Sequence, residues 1–263
     1  MDELRGAKAA RAHVVRFDDL LAGAEVEPAD EVLVRPSMWR GHSFIALCEW
    51  IVCAKLASPG SHVVWHVPSH HRLFEGSAPD AAEMPAARSF VATLGSRELS
   101  FEADWGVFSL GHVDDGTRAL FDAAHARRAA TVADIGTGYG AVAVGLAAAG
   151  NCDRVVASDV DLVSLHLARR NAAANGVTVE LLGEDDPSVL PPTELTTCEI
   201  PTHVPPVQTQ RLVDGLVSRS RSGAVLVAVH NSLVERYVRL FADAGAESRI
   251  EDGPTHAVLC LGG

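Results

Sequence analysis

Thr131-Val-Ala-Asp134-Ile-Gly136-Thr-Gly138-Tyr139-Gly140 is a short, mostly apolar run that ends in three alternating glycines and passes straight into AVAVGLAAAG (141–150). The opening five residues read as a buried strand and the alanine-rich run as a helix. Glycines at such a junction let the backbone turn sharply and let a ligand approach the helix N-terminus closely. Outward from this point the alternation repeats. Upstream, DDGTRALFDAAHARR (114–128) opens on an Asp cap and continues as an amphipathic helix. Downstream come RVVASD (154–159), a helix over about 161–174, TVELL (178–182) and TTCEI (196–200). A helix over about 206–220, AVLVAV (224–229), a helix over about 232–244 and strands near 246–251 and 256–261 complete the chain. Strands alternating with helices predict an α/β fold, a doubly wound Rossmann-like parallel sheet covered on both faces. The last two strands have no helix between them, so the sheet should end in an antiparallel pair.

The N-terminal part is less regular. EVLVR (31–35) and HVVWHV (62–67) read as strands around a helix at SFIALCEWIVCAKL (43–56), which SPG (58–60) breaks. The His-, Pro- and Ala-rich stretch 68–97 reads as a linker around one short helix, and ELSFEA (98–103) and GVFSL (106–110) as strands. Two domains follow: a smaller, truncated α/β unit over 1–97, assigned to substrate contact or to pairing in a homodimer, and a cofactor-binding unit over 98–263.

Of 263 residues, 48% are hydrophobic and 21% charged, a globular mixture that excludes disorder and coiled coil. No apolar run reaches the roughly 18 residues of a membrane span and no signal-peptide core is visible, so a soluble, cytoplasmic protein is expected. The formal charge of −12 disfavours a surface that grips nucleic acid throughout. The stripe Arg5, Lys8, Arg11 and Arg16 reads as a solvated face. Cys48, Cys53, Cys152, Cys198 and Cys260 are scattered, without a C-x-x-C pair, which argues against a disulfide framework and a metal site alike. His70-His71 reads as surface loop, and Trp50 and Trp65 as core.

The acids around the glycine loop narrow the ligand. Asp134 precedes the first glycine, where a carboxylate would repel a pyrophosphate but attract the ammonium of S-adenosylmethionine. The next strand ends in Asp159, followed by Val160, where an acidic side chain accepts ribose hydroxyls. Glu184-Asp185-Asp186 follows the third strand, placed for the adenine amino group. Gly136, Gly138, Tyr139 and Gly140 shape the loop, Tyr139 either packing over the methionine portion or standing as a loop aromatic. Phe108 and Thr117 are expected to cover the cofactor.

At this point the chain resembles a family. GVFSLGHVDDGTRALFDA (106–123), VADIGTGYGAVAVGLA (132–147) and ASDVDLVSLHLARRNAAANGV (157–177) are similar to the entry segment, cofactor loop and ribose strand of the class I "methyltransferase small domain" enzymes. That family is typified by bacterial enzymes that methylate guanine N2 in small-subunit ribosomal RNA. The resemblance implies the class I methyltransferase sheet and S-adenosylmethionine as cofactor. It also exposes a departure. Where the family carries Asn-Pro-Pro-Phe-His, this chain reads Glu199-Ile200-Pro201-Thr202-His203. A carboxylate can deprotonate an acceptor or bind a cationic amine, roles that an amide does not share. Glu199 and His203 are therefore the candidates for substrate holding and proton acceptance. The acceptor expected is a small organic molecule of specialised metabolism. The alternatives are an RNA target, non-methyl use of the cofactor such as intramolecular cyclisation, and a catalytically silent cofactor-binding protein.

Overall fold

A computed structural model describes residues 31–34, 62–67, 72–77, 88–103, 107–109, 111–184, 186–201, 204 and 206–262. The expected helix at 43–56, Arg5, Lys8, Arg11, Arg16, His70 and His71 lie outside them. Strands β1 (Glu31–Val34), β2 (His62–Val67) and β3 (Arg72–Ser77) form a small sheet, β1 parallel and β3 antiparallel to β2. Strand β3 corrects the linker expected over 68–97: the Pro-Ser-His-His run that signals a loop is confined to positions 68–71.

The same correction continues in β4 (Arg88–Leu94), which pairs with β5 (Arg97–Ala103) in an antiparallel hairpin turning at Gly95. Ala92, Leu94, Leu99, Phe101 and Ala103 are buried, so one face of the hairpin belongs to the core. The line drawn at 97/98 falls inside this hairpin. GVFSL, expected as a strand, is not one: 107–109 are bends, and Ser109 sits in the left-handed region at φ 62° with its hydroxyl donating to His112 O.

From there the order is α1 (Asp115–His125), β6 (Thr131–Ile135), α2 (Ala141–Ala149), β7 (Arg154–Ser158), α3 (Leu162–Ala174) and β8 (Glu180–Leu182). Then come β9 (Leu195–Glu199), α4 (Pro206–Ser220), β10 (Ala224–His230), α5 (Val234–Asp243), β11 (Ser248–Glu251) and β12 (His256–Leu261). The sheet runs β11-β12-β10-β9-β6-β7-β8, parallel from β10 to β8, with β12 antiparallel to both its neighbours. The expected terminal antiparallel pair is present. Strand β6 is the point of reversal, since its neighbours β7 and β9 lead in opposite directions. A crevice opens there at the carboxyl ends of the strands.

Both faces of the sheet are covered. Val225, Val227 and Val229 of β10 pack with Leu212, Leu216, Tyr237 and Phe241 of α4 and α5, while Leu226 and Ala228 face the core of α1, α2 and the hairpin. Burying one such side chain contributes about 1.5–3 kcal/mol. Helix α2 is apolar all round because it is sunk between the sheet, α1 and the hairpin. Two asparagines four residues apart, Asn171 on α3 and Asn175 just past its end, fasten the hairpin. Asn171 accepts from Glu102 N and donates to Glu102 O and Tyr139 O, and Asn175 treats Ser100 N and O in the same way.

On the other face, Arg219 of α4 is 7% exposed and donates to Thr196 Oγ1, Pro187 O, Leu190 O and Pro191 O, with Thr193 Oγ1 a further partner. It ties β9 to the segment before it through neutral oxygens. Hydrogen bonds to a charged group contribute more than neutral ones, and removing the donor strands buried acceptors. Arg219→Met should therefore cost about 3 kcal/mol or more, lowering the melting temperature by roughly 6–12 °C at this chain length. A thermal melt followed by circular dichroism checks this.

Candidate active site

Asp134 closes β6 with its side chain 3% exposed, accepting from Thr137 Oγ1 at 2.7 Å and, across the β6–β9 ladder, from Thr197 Oγ1 at 2.8 Å. Burial pushes its carboxyl up to about 6, and the two threonine hydroxyls oppose that rise. Gly136 and Gly138 lie in the left-handed region at φ 69° and 58°, and a Cβ on either would meet open space. The loop is thus shaped by backbone conformation while its ligand side stays clear. Gly136 N and Thr137 N donate to Ser158 O, which pins the loop to β7.

Asp159 stands just beyond β7. Its Oδ2 accepts from Gly138 N at 2.9 Å and its Oδ1 from Asp161 N at 2.9 Å, so it props the loop open. Val160 is half-buried beside it, and Glu184 is exposed past β8. Asp186 caps the short 3₁₀ turn through Ser188 and is held below its ordinary range by that contact. Asp185 and His203 lie outside the described residues.

Tyr139 belongs to the packing. Its ring meets Phe90 and Phe101 edge-on and its hydroxyl donates to His112 O, joining the glycine loop to the hairpin. Phe108, 72% exposed, stands at the mouth of a cleft lined by Asp114, Thr117, Asp134, Gly138 and Glu199.

Glu199 ends β9 and reaches the first turn of α1. Thr117 Oγ1 is 2.9 Å from Glu199 Oε2 and 2.7 Å from Asp114 Oδ2, while Asp114 also caps α1 by accepting from Thr117 N. A hydroxyl has one hydrogen to donate, so satisfying both carboxyl groups requires a proton on one of them. Burial, then the neighbouring Asp114 carboxylate, pushes Glu199 up to about 7. Gly116 makes the arrangement fit: a Cβ there would lie 2.5 Å from Glu199 Oε1. Sequence reasoning treated Asp114 only as a cap and overlooked Thr197 and Gly116. A hydroxyl in the middle of a buried strand was the available signal for Thr197.

Residues 98–230 match the model of the methyltransferase small domain. The chain belongs to that family. It is 31% identical over 102 residues to the uncharacterised protein YbxB of Bacillus subtilis (strain 168), covering 37% of this chain and 51% of that one. This chain thus spans about half the length of that curated relative. Among solved structures it is similar to the T. thermophilus 16S rRNA N2 G1207 methyltransferase (RsmC) in complex with AdoMet and guanosine. There the TM-score is 0.68 at 19% identity, over 89% of this chain and 73% of that one. The Pyrococcus abyssi tRNA (uracil-54, C5)-methyltransferase in complex with S-adenosyl-L-homocysteine gives 0.51 at 18% identity, over 76% of this chain and 50% of that one. At these identities the likeness concerns the fold, and the strand order observed here is that of the class I methyltransferase sheet.

The residues around the glycine loop could hold S-adenosylmethionine. Asp134 would face the ammonium, Asp159 the ribose and Glu184 the adenine, with Gly136 and Gly138 leaving room for close backbone approach. Asp159→Ala should weaken cofactor binding tenfold or more, as loss of a charge-assisted hydrogen bond predicts, read by titration calorimetry. A second expectation follows from Asp134. A cationic ligand binds its ionised form, so affinity should be full above about pH 6 and fall as the pH drops through that value. The same titration repeated across pH checks the sign.

Proposed function

We propose that this chain transfers the methyl group of S-adenosylmethionine to a nitrogen or oxygen nucleophile of a small organic molecule, in specialised metabolism. The observation that carries the reading is the buried Glu199 carboxyl beside Asp114, at the position where the family resemblance implies asparagine. Such an acidic wall suits a neutral or cationic amine or a hydroxyl, and repels the phosphates of a nucleic acid. When bound, the cofactor supplies an already activated methyl group. The residues need only align the nucleophile and dispose of its proton.

Glu199 holds the acceptor. Its Oε2 meets Thr117 Oγ1 at 2.9 Å, and the carboxyl lines the cleft together with Asp114 and Phe108. Below about pH 7 it is a neutral acid with a carbonyl oxygen, the same acceptor that an amide offers; above that it is an anion that favours a cation. His203, four residues on in the sequence, is the proposed partner for proton acceptance. Phe108 covers the mouth and Thr117 orients the carboxyl. The N-terminal unit contributes to the acceptor site, and we draw the boundary before Arg88 because the hairpin packs with the cofactor-binding unit. Among the described residues no helix is long and apolar enough to cross a membrane, and no cluster of His, Cys, Asp and Glu is placed to hold a metal.

A second reading, an RNA acceptor, is favoured by the fold likeness to the rRNA methyltransferase, which extends over 89% of this chain. Incubation with methyl-labelled cofactor separates the two. One arm contains a low-molecular-mass metabolite extract and the other purified small ribosomal subunits. Label in the extract, reduced about tenfold or more by Glu199→Ala with cofactor affinity unchanged, supports the small-molecule reading. Label in rRNA alone overturns it.

A further inference from the structure

Asp114, Asp134 and Glu199 line one cleft at the carboxyl edge of the sheet, and among the described residues that line it none is a lysine, arginine or histidine. Arg118, on the first turn of α1, is drawn away: it donates to Val113 O and, on the hairpin, to Thr93 O. In the reading above, Asp134 is matched by the ammonium of the cofactor. Asp114 and Glu199 remain, joined by the one hydroxyl of Thr117, which lies 2.7 Å from the first and 2.9 Å from the second. Phe108 stands exposed at the mouth of the same cleft, and the face of an aromatic ring attracts a cation. Two carboxyl groups and an aromatic ring, with no basic side chain among the lining residues described, make a wall that attracts positive charge and repels negative.

We propose that the acceptor is an amine that is protonated in water, and that Asp114 acts with Glu199 to select it over hydroxyl and anionic acceptors. The proposal rests on the methyl-transfer reading of this site and narrows its substrate class. In the step, the ammonium gives one proton to His203, the group proposed above for that role. The freed lone pair bonds the methyl carbon, and the electron pair of the broken carbon–sulfur bond stays on sulfur. Nitrogen keeps its other hydrogens and ends as a methylated ammonium, so the positive charge passes from sulfur to nitrogen. Carboxylates fixed beside that nitrogen stabilise the charge as it develops. An alcohol ends neutral and draws no such benefit, and an anionic acceptor is repelled at the outset. The titratable groups facing Glu199 are Asp114 before α1, Asp134 on β6, Tyr139 of the glycine loop, Cys198 on its own strand and, across Gly116, His256 on β12. Burial, then Asp114, pushes Glu199 up to about 7, so above that pH its charge adds to that of the Asp114 carboxylate. An alkylamine, with an ordinary value of about 10, is still a cation there.

The test uses the full chain, methyl-labelled cofactor and the low-molecular-mass extract, split by ion exchange at neutral pH into cationic, neutral and anionic fractions. Label should enter the cationic fraction about tenfold or more above the other two. At saturating cofactor, the amount of that fraction giving half-maximal rate should fall as pH rises through about 7. Asp114→Asn keeps a capping side chain on α1, and a thermal melt checks its fold. Without the neighbouring charge Glu199 ionises more readily, so in this variant the fall in half-saturation should move to lower pH. Above pH 7 the variant should need about tenfold or more of the fraction. An Asp114 that serves only as a cap would leave the pH step where it is. Label confined to the neutral or anionic fraction overturns the proposal and leaves methyl transfer to a small molecule standing, whether or not the variant folds. An unshifted pH step in folded Asp114→Asn overturns the part given to Asp114. If no fraction is labelled, the methyl-transfer reading fails and the amine acceptor falls with it.

Discussion

Two carboxyl groups held out of water at the ends of adjacent parallel strands govern this molecule. Asp134 on β6 and Glu199 on β9 flank the crevice at which the sheet reverses direction. Each is kept there by hydroxyls, Thr137 and Thr197 for the first and Thr117 for the second. Desolvating a carboxylate is costly, and both respond by binding protons more tightly than they would in water. With folded-state values above their unfolded ones, each favours the folded state at low pH. That advantage is lost as pH rises through about 6 for Asp134 and about 7 for Glu199. A bound cation offsets the same penalty on Asp134. The site is thus a place where the fold stores an unfavourable charge until a ligand of opposite sign arrives.

Much of this was legible in the sequence because it depends on local pattern. The glycine loop, the acid ending each strand and the helix-free interval before β12 are short-range features, and the seven-stranded sheet follows from them. What could not be read depends on register and packing. Thr197 meets Asp134 only because β9 lies directly against β6. Asp114 looked like a helix cap, which it is, yet the same carboxyl reaches Thr117 Oγ1 and so Glu199. Tyr139 sits in a ligand motif, but Phe90 and Phe101 claim its ring. The Pro and His content of 68–97 signals a loop, whereas β4 within it is set by Ala92 and Leu94, two residues apart on its buried face.

The carboxyl of Glu199 has several dependents. A carboxyl at that position needs a donor for one oxygen, supplied by Thr117. It needs space for the other, supplied by Gly116. These residues lie on α1, far away in sequence, so the carboxyl at the end of β9 makes sense only together with the first turn of that helix.

The two asparagine latches, on α3 and just past its end, carry a practical consequence. Glu102, Ser100 and the Tyr139 carbonyl are all held by side-chain amides, so the hairpin and the ligand loop are mechanically one piece. A shortened protein made for structural work would have to retain everything from Arg88 onward. Cutting at the compositional seam would strip β5 of its partner, expose Phe101 and Leu99 to water, and slacken the very loop whose shape such an experiment would set out to see.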